Sequence, residues 1–326
     1  MQNNKQLNTP IAFIIFNRPD TTQKVFNEIK KAKPKQLFVI ADGARNNKEK
    51  KLVENSRKII DQVDWDCEVH KNYSDKNLGC KIRVSSGLDW FFENVEEGII
   101  LEDDCVPHQS FFRYCEELLK KYRYNDKIMH ISGQNLQFGK KRGNYDYYFS
   151  IFNHIWGWAT WKKAWKYYDV NIKTFHDFKE KNKIKRILNQ KITQKYWLKI
   201  FQAAYENKIN TWAYIWTYTC WNKKGLTCLP NVNLVSNIGF DERGTHTTNK
   251  KNRHANMQTE EIKFPLSHPN KIKINQKADD YTNKHVYKIK RKNPINFIKN
   301  ILKKILKKLG LFNTVKTKYL KFKNLI

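Results

Sequence analysis

A chain of 326 residues with 40% hydrophobic and 14% aromatic content carries enough apolar material for a packed core, which excludes a disordered or low-complexity protein. Its 62 Lys and Arg against 31 Asp and Glu give a formal net charge of +31, which favours nucleic acid, nucleotides or acidic lipid headgroups as partners and leaves the choice among them open. The six cysteines are scattered with no CxxC pair, and no window approaches eighteen apolar residues, so neither a disulfide scaffold nor a membrane span is expected and free thiols in a reducing cytoplasm fit best.

The first apolar run, residues 11–16, is followed by Asn17, Arg18 and Pro19; it is too short for a signal segment and predicts a buried strand. A helix is expected over 21–31, a strand over 37–40 and a helix over 48–62, a βαβα rhythm. A third strand at 66–69, a helix over 81–93 with Val84, Leu88 and Phe91 on one side, and a fourth strand at 98–101 continue it. These strands are apolar without polar alternation, as in a parallel sheet covered on both faces. A helix over 109–122 and strands at 128–131 and 147–152 come next. Trp156, Gly157, Trp158 and Trp161 then lead into a helix through Trp165 and Tyr168. Further helices are expected over 184–190, 193–206 and 214–221, short strands at 226–229 and 232–235, and a polar loop over 240–256. Between Lys284 and Ile326 there are fourteen Lys and Arg and no acid, and beyond Pro294 the residues Ile298, Ile301, Leu302, Ile305 and Leu309 fall at helical spacing with lysines between them. That pattern predicts a basic amphipathic helix at about 294–310.

Glu102, Asp103 and Asp104 stand where the fourth strand ends. In an open α/β sheet, ligands sit outside the carboxyl ends of parallel strands, so these acids are placed for a divalent cation and a phosphate; hard oxygen ligands suit Mg2+ or Mn2+. An acidic triplet before a helix also serves as ordinary capping. Asp42 leaves the second strand at the same edge, where it suits a hydrogen bond from a base or ribose, or a plain turn. Arg18 leaves the first strand nearby. Asn77, Leu78 and Gly79 introduce a helix whose Lys81 and Arg83 suit a phosphate beside the free N–H groups of the helix start, or else form a solvated basic face. Trp156 and Trp158 flank Gly157, where a ligand can approach the backbone, and their rings suit the C–H face of a sugar; Trp161 and Trp165 read as core.

Taken in order, Phe16-Asn17-Arg18-Pro19, Ala41-Asp42-Gly43, Asn77-Leu78-Gly79, Glu102-Asp103-Asp104, Trp156-Gly157-Trp158 and Gly244-Thr245-His246-Thr247 resemble the GT-A nucleotide-diphospho-sugar transferases. The nearest likeness is to bacterial surface-polysaccharide glycosyltransferases related to N-acetylglucosaminyltransferase I, and it covers about residues 10–248. The resemblance implies an α/β fold of GT-A, Rossmann-like type, with a mostly parallel central sheet flanked by helices over 1–260; the C-terminal extension over 261–326, which carries the basic helix expected from its own pattern, lies outside the resemblance. The resemblance also implies metal-dependent transfer of a sugar from a UDP-sugar donor to a surface glycan or lipid-linked acceptor. Carried over position by position, Asp42 contacts uracil or ribose, Arg18 the nucleotide, Glu102 and Asp103 the ribose and sugar, and Asp104 the metal; on the reading of the residues themselves, Lys81 or Arg83 is expected to neutralise the departing UDP. His246 reaches back to the metal or diphosphate. By position alone, Gly133, Gln134 and Asn135 after the strand at 128–131 are expected to supply acceptor hydrogen bonds, and Trp156, Gly157, Trp158 and Trp212 are expected to complete the sugar and acceptor pocket.

This chain departs from the pattern at Ala213, where relatives can carry the acid that deprotonates the acceptor hydroxyl; alanine takes no proton. Another carboxylate (Asp169, Asp241 or Glu242) then serves, or the enzyme retains configuration and needs no such base, or the chain is an impaired relative acting as a scaffold. Asp241 and Glu242 are carried forward as catalytic candidates. The terminal helix, with cations flanking an apolar stripe, suits an anionic membrane surface and places the protein on the inner face of the cytoplasmic membrane. A nucleic-acid-binding protein is the rival class. No RNA-recognition, KH or zinc-finger pattern is present and the basic excess is concentrated in the tail, so no nucleic acid is expected as a partner.

Overall fold

Ile11–Ile15 is five apolar residues with every one buried, a segment that only an interior strand can use. In the computed structural model, which describes residues 6–243, 249, 251–289, 305 and 308, this strand (β1) lies near the middle of an eight-stranded sheet. It is followed by α1 (Pro19–Ala32), β2 (Gln36–Ala41), α2 (Asn47–Lys58), β3 (Glu68–Tyr73), α3 (Gly79–Asn94) and β4 (Glu97–Glu102). Next come β5 (Cys105–Pro107), α4 (Gln109–Tyr122), β6 (Ile128–Ser132), β7 (Tyr147–Ser150), β8 (Trp158–Trp161) and α5 (Lys162–Trp165). The later elements are α6 (Phe175–Glu180), α7 (Lys191–Tyr205), α8 (Ala213–Asn222), β9 (Leu226–Pro230), β10 (Val235–Asn237) and α9 (Gln276–His285).

The sheet order is β3-β2-β1-β4-β8-β6-β9-β7, and β5 pairs separately with β10. Neighbours pair in parallel except where β8 lies between β4 and β6 and where β7 closes the edge against β9, so six strands share one direction. This is an α/β architecture with a mostly parallel central sheet flanked by helices. The core includes Phe13, Val39, Ile99 and Leu101 from the strands, Phe26 and Ile29 from α1, and Phe111, Leu118 and Leu119 from α4.

The first third follows the expected rhythm, and the differences lie further on. Residues 158–161, read as the approach to a helix, form β8: Gly157 turns the chain at φ +66° and all four residues are buried between β4 and β6. The helix expected over 184–190 is a short 3-10 turn at Lys183–Arg186, and β10 falls at 235–237 instead of 232–235. Two compact units divide the chain at Met1–Tyr287 and Lys288–Ile326, so the boundary expected at 260/261 lies inside the first unit. Ile262 and Leu266 join its core, and α9 packs on β7 through buried Ala278 and Asp279. The expected helix at 294–310 lies outside the described residues except for Ile305 and Lys308, both helical. Among the described residues no helix is long and apolar enough to cross a membrane.

Candidate functional site

In the central strands Ile15 pairs with Ala41 and Ile14 with Glu102, so β1, β2 and β4 end side by side. The segments that leave them, residues 16–18, 42–45 and 103–104, therefore emerge at one sheet edge, the carboxyl edge where open α/β sheets bind ligands. A cavity of about 240 Å³ opens there. Its lining includes Phe16, Asn17, Arg18, Asp42, Arg45, Asn77, Arg83, Glu102, Asp103, Asn210 and Arg243. Four arginines and three carboxylates on one small cavity make an unusually polar wall.

The acid triplet already holds a positive charge. The Nη2 of Arg18 donates to Oδ1 of Asp103 and, at 2.9 Å, to Oδ2 of Asp104. Burial works against the charge on Arg18, but the two carboxylates outweigh it and raise the guanidinium above its ordinary value. Asp103 also accepts from the Phe16 amide at 3.1 Å. Burial raises Asp103 to about 6, with Arg18 pulling the other way, and raises Glu102 to about 8, helped by Asp104 and Asp103. Glu102 Oε1 is buried and has no hydrogen-bond partner among the described residues. Asp104 Oδ1 accepts from Asn237 at 3.2 Å, and the Asp104 carbonyl accepts from the Ile238 amide at 2.8 Å, so the β5–β10 pair anchors the triplet from behind. Gly239 packs against the ion pair: a Cβ there would stand 2.0 Å from Asp104 Oδ2 and 2.6 Å from Arg18 Nη1.

Asp42 does structural service at the opposite wall. It accepts from the amides of Gly43 (2.9 Å), Leu78 (2.9 Å) and Gly79 (3.0 Å) and from Asn77 Nδ2 (3.1 Å). The N–H groups expected to be free at the start of α3 are thus engaged: Asp42 takes two, and Asn210 Oδ1 accepts from the Lys81 amide at 3.2 Å. Arg83 lines the cavity and its Nη2 donates to the Asn72 carbonyl and side-chain oxygen at 2.6 and 2.7 Å. Burial lowers Arg83 from its ordinary value. Lys81, expected beside it, is turned away, with Nζ donating to Asn207 Oδ1 at 2.7 Å and no place on the cavity wall; a helix cannot present positions 81 and 83 to one side.

Other expected residues fall elsewhere. Trp158, assigned to a pocket wall, is fully buried in an aromatic core, stacked on His130 at 4.9 Å and on Trp212 at 5.6 Å between ring centroids. Trp212, also buried, precedes α8 and belongs to the same core, so neither indole offers a face to a sugar in this arrangement. Trp156 is half-buried against Phe240 and His254. Gly157 and Gly133 admit neighbouring side chains instead of a ligand: a Cβ would meet Val235 at 2.6 Å from Gly157 and Phe111 at 2.5 Å from Gly133. Gln134 and Asn135 are buried, and Asn135 spends its groups on the Pro230 carbonyl, Asn233 and the Gln137 amide. Of the base candidates, Asp169 accepts from the amides of Asn171 and Lys173, Asp241 is paired with Arg243 at 2.7 Å, and Glu242 is exposed. Arg243 holds Asp241 below the usual carboxylate range, which makes it a weak base. His246 lies outside the described residues.

Sequence reasoning passed over Arg45, Arg243 and Gly239. Arg45 lies over the Phe16 ring and pairs with Glu49, and Arg243 forks onto Asp20 at 2.8 and 2.9 Å. The available signal was adjacency: Arg45 follows Asp42 by three residues, and Arg243 follows the acids 241 and 242.

Among the described residues no group of three or more His, Cys, Asp and Glu is arranged to hold a metal ion. The oxygens of Asp103 and Asp104 do converge on a single cation, and hard carboxylate donors suit Mg2+ or Mn2+, which commonly takes one or two carboxylates and completes its shell with phosphate and water. By donor chemistry the residues fit such an ion, in competition with Arg18.

No family model and no curated protein matches this sequence. Part of the chain is similar to two solved structures. 4-Diphosphocytidyl-2C-methyl-D-erythritol synthase from Anaerococcus prevotii aligns at TM-score 0.29 and 10% identity over 48% of this chain and 72% of that one. UDP-glucose pyrophosphorylase, solved in complex with UDP-glucose, aligns at TM-score 0.25 and 14% identity over 45% of this chain and 63% of that one. Likenesses of this extent leave the functional reading to the geometry of the site.

Proposed function

We propose that the chain is a glycosyltransferase that binds a nucleoside-diphosphate sugar, a UDP-sugar in the first instance, and passes the sugar to a surface glycan or lipid-linked acceptor. One observation carries the reading: three neighbouring parallel strands deliver Arg18, Asp42, Glu102 and Asp103 to a single cavity at their carboxyl edge. In this reading Arg18, Arg45, Arg83 and Arg243 face the diphosphate. Their guanidinium groups remain charged at any working pH and match phosphate oxygens in pairs. Asp42 holds the 77–79 turn as one side of the nucleotide pocket. Glu102 keeps a buried oxygen open to a hydroxyl of the ribose or sugar. Asp104, with Asp103, is the proposed holder of Mn2+ or Mg2+, whose contribution when bound is to offset the charge that gathers on the diphosphate as it leaves.

Calorimetric titration with UDP and UDP-sugars, with and without Mn2+, tests this. Micromolar binding is expected, strengthened by Mn2+ in the wild type and not in Asp104→Asn. Absence of binding by any nucleoside diphosphate at millimolar concentration, with the protein folded, would remove the reading.

The lysine-rich tail is proposed to hold the protein on anionic membrane. Cutting the chain after residue 289 is expected to release it from vesicles containing anionic lipid while UDP affinity stays the same. Equal vesicle binding by the cut and full chains would refute the assignment.

A further inference from the structure

A second cavity lies apart from the nucleotide pocket. A groove of about 800 Å³ borders α1, lined on the helix side by Lys24, Lys30, Lys31, Lys33 and the acid Glu28, and on the other by Val106 of β5 and Ile238 just past β10. Lys24, Glu28 and Lys31 share one face of α1 at spacings of four and three residues. The helix rises about 1.5 Å per residue, so the lysines from position 24 to position 33 span about 14 Å. Lys30 is paired with Asp64 and Lys31 with Glu28, but among the described residues no carboxylate pairs with the exposed Lys24 or Lys33.

We infer that this groove binds an extended acidic glycan, one bearing carboxylates or phosphates, as the acceptor chain of the reaction proposed above, and the inference rests on that reading. Aliphatic Val106 and Ile238 offer the C–H faces of sugar rings an apolar floor, and the lysine rim supplies the counter-charge. The groove contains no aromatic side chain on which bases would stack, which argues against single-stranded nucleic acid. The groove's floor strands carry Asn237, which holds Asp104, and Lys24 lies one turn along α1 from Asp20, the partner of Arg243 on the nucleotide pocket.

Binding of a fluorescently labelled galacturonate decasaccharide at 150 mM salt tests the inference. Lys24→Glu/Lys33→Glu is expected to weaken it at least tenfold. Lys195→Glu/Lys199→Glu, which removes the same charge from the exposed side of α7, is expected to change it less than twofold. UDP affinity should be unaltered in both, which also reports that each variant is folded. Three results would each overturn the groove: equal loss in the α7 variant, which reduces the effect to net charge; equal binding of a neutral maltodecaose; or oligouridylate binding more tightly than the galacturonate and being lost with the groove lysines. If no variant or wild type binds UDP while the galacturonate behaves as expected, the groove stands and the transferase reading falls.

Discussion

Replacing Arg18 with methionine is expected to destabilise the protein by about 3–5 kcal/mol, because the change leaves Asp103 and Asp104 buried with their shared cation gone. In a domain of this size such a loss lowers the melting temperature by roughly 10 °C. The penalty belongs to uncompensated charge, not to lost packing, and the double change Arg18→Met/Asp104→Asn separates the two. Neutralising one acid should return a large part of the stability in denaturant unfolding. Equal stability of the single and double variants would mean that the pair contributes little and that the acids are served by other groups. The same single variant is expected to lose at least tenfold in UDP affinity, since Arg18 also lines the nucleotide pocket.

The second large effect is a dependence of stability on pH at a place far from the strand exits. Asp279 on α9 is buried, accepts from Ser150 Oγ at 2.5 Å and from the Ile151 amide at 3.3 Å, and forms no ion pair among the described residues. Burial raises its carboxyl to about 7, against an unfolded value near 3.8. Between those values the folded chain binds more protons than the unfolded one, so stability falls as pH rises through the window and is lowest above it. A difference of about three units corresponds to about 4 kcal/mol. Asp279→Asn removes the ionisation, so the variant should gain on the wild type steadily from pH 4 to pH 7 and hold a constant advantage above. Parallel stability curves for the two proteins across that range would show that water or local opening solvates the carboxylate.

The first half of this architecture was legible because local signals and long-range packing agree there. Runs such as Ile11–Ile15 and Gln36–Ala41 are apolar throughout, and helices with marked apolar faces alternate with them. Acids following β4 and an aspartate following β2 could be placed at one edge from topology alone. What the pattern did not disclose was pairing between distant segments. β8 is a four-residue strand made of two tryptophans, alanine and threonine, and its identity depends on β4 and β6 lying either side of it. The three-residue strands β5 and β10 are too short for periodicity to register, yet they fix Asp104.

At the site, charge was easier to foresee than direction. Arg18 and Glu102 reach the cavity because they stand at strand exits. Lys81 misses it because the two steps along the helix that separate it from Arg83 turn the side chain through roughly half a circle. Trp158 reads as a binding surface from its place beside Gly157, whereas a large ring that loses all contact with water is more valuable inside. Trp158, Trp212, Trp165 and Trp216 form one cluster, which joins β8 to α5 and α8.

The tie between Asp104 and Asn237 spans 133 positions of chain. A polypeptide leaving the ribosome from its N-terminus therefore exposes its acidic edge long before the segment that steadies it has been synthesised. Arg18 is already present by then. The early chain thus carries its own chaperoning charge for these acids, and the centre is completed from its rear only when translation has passed residue 239.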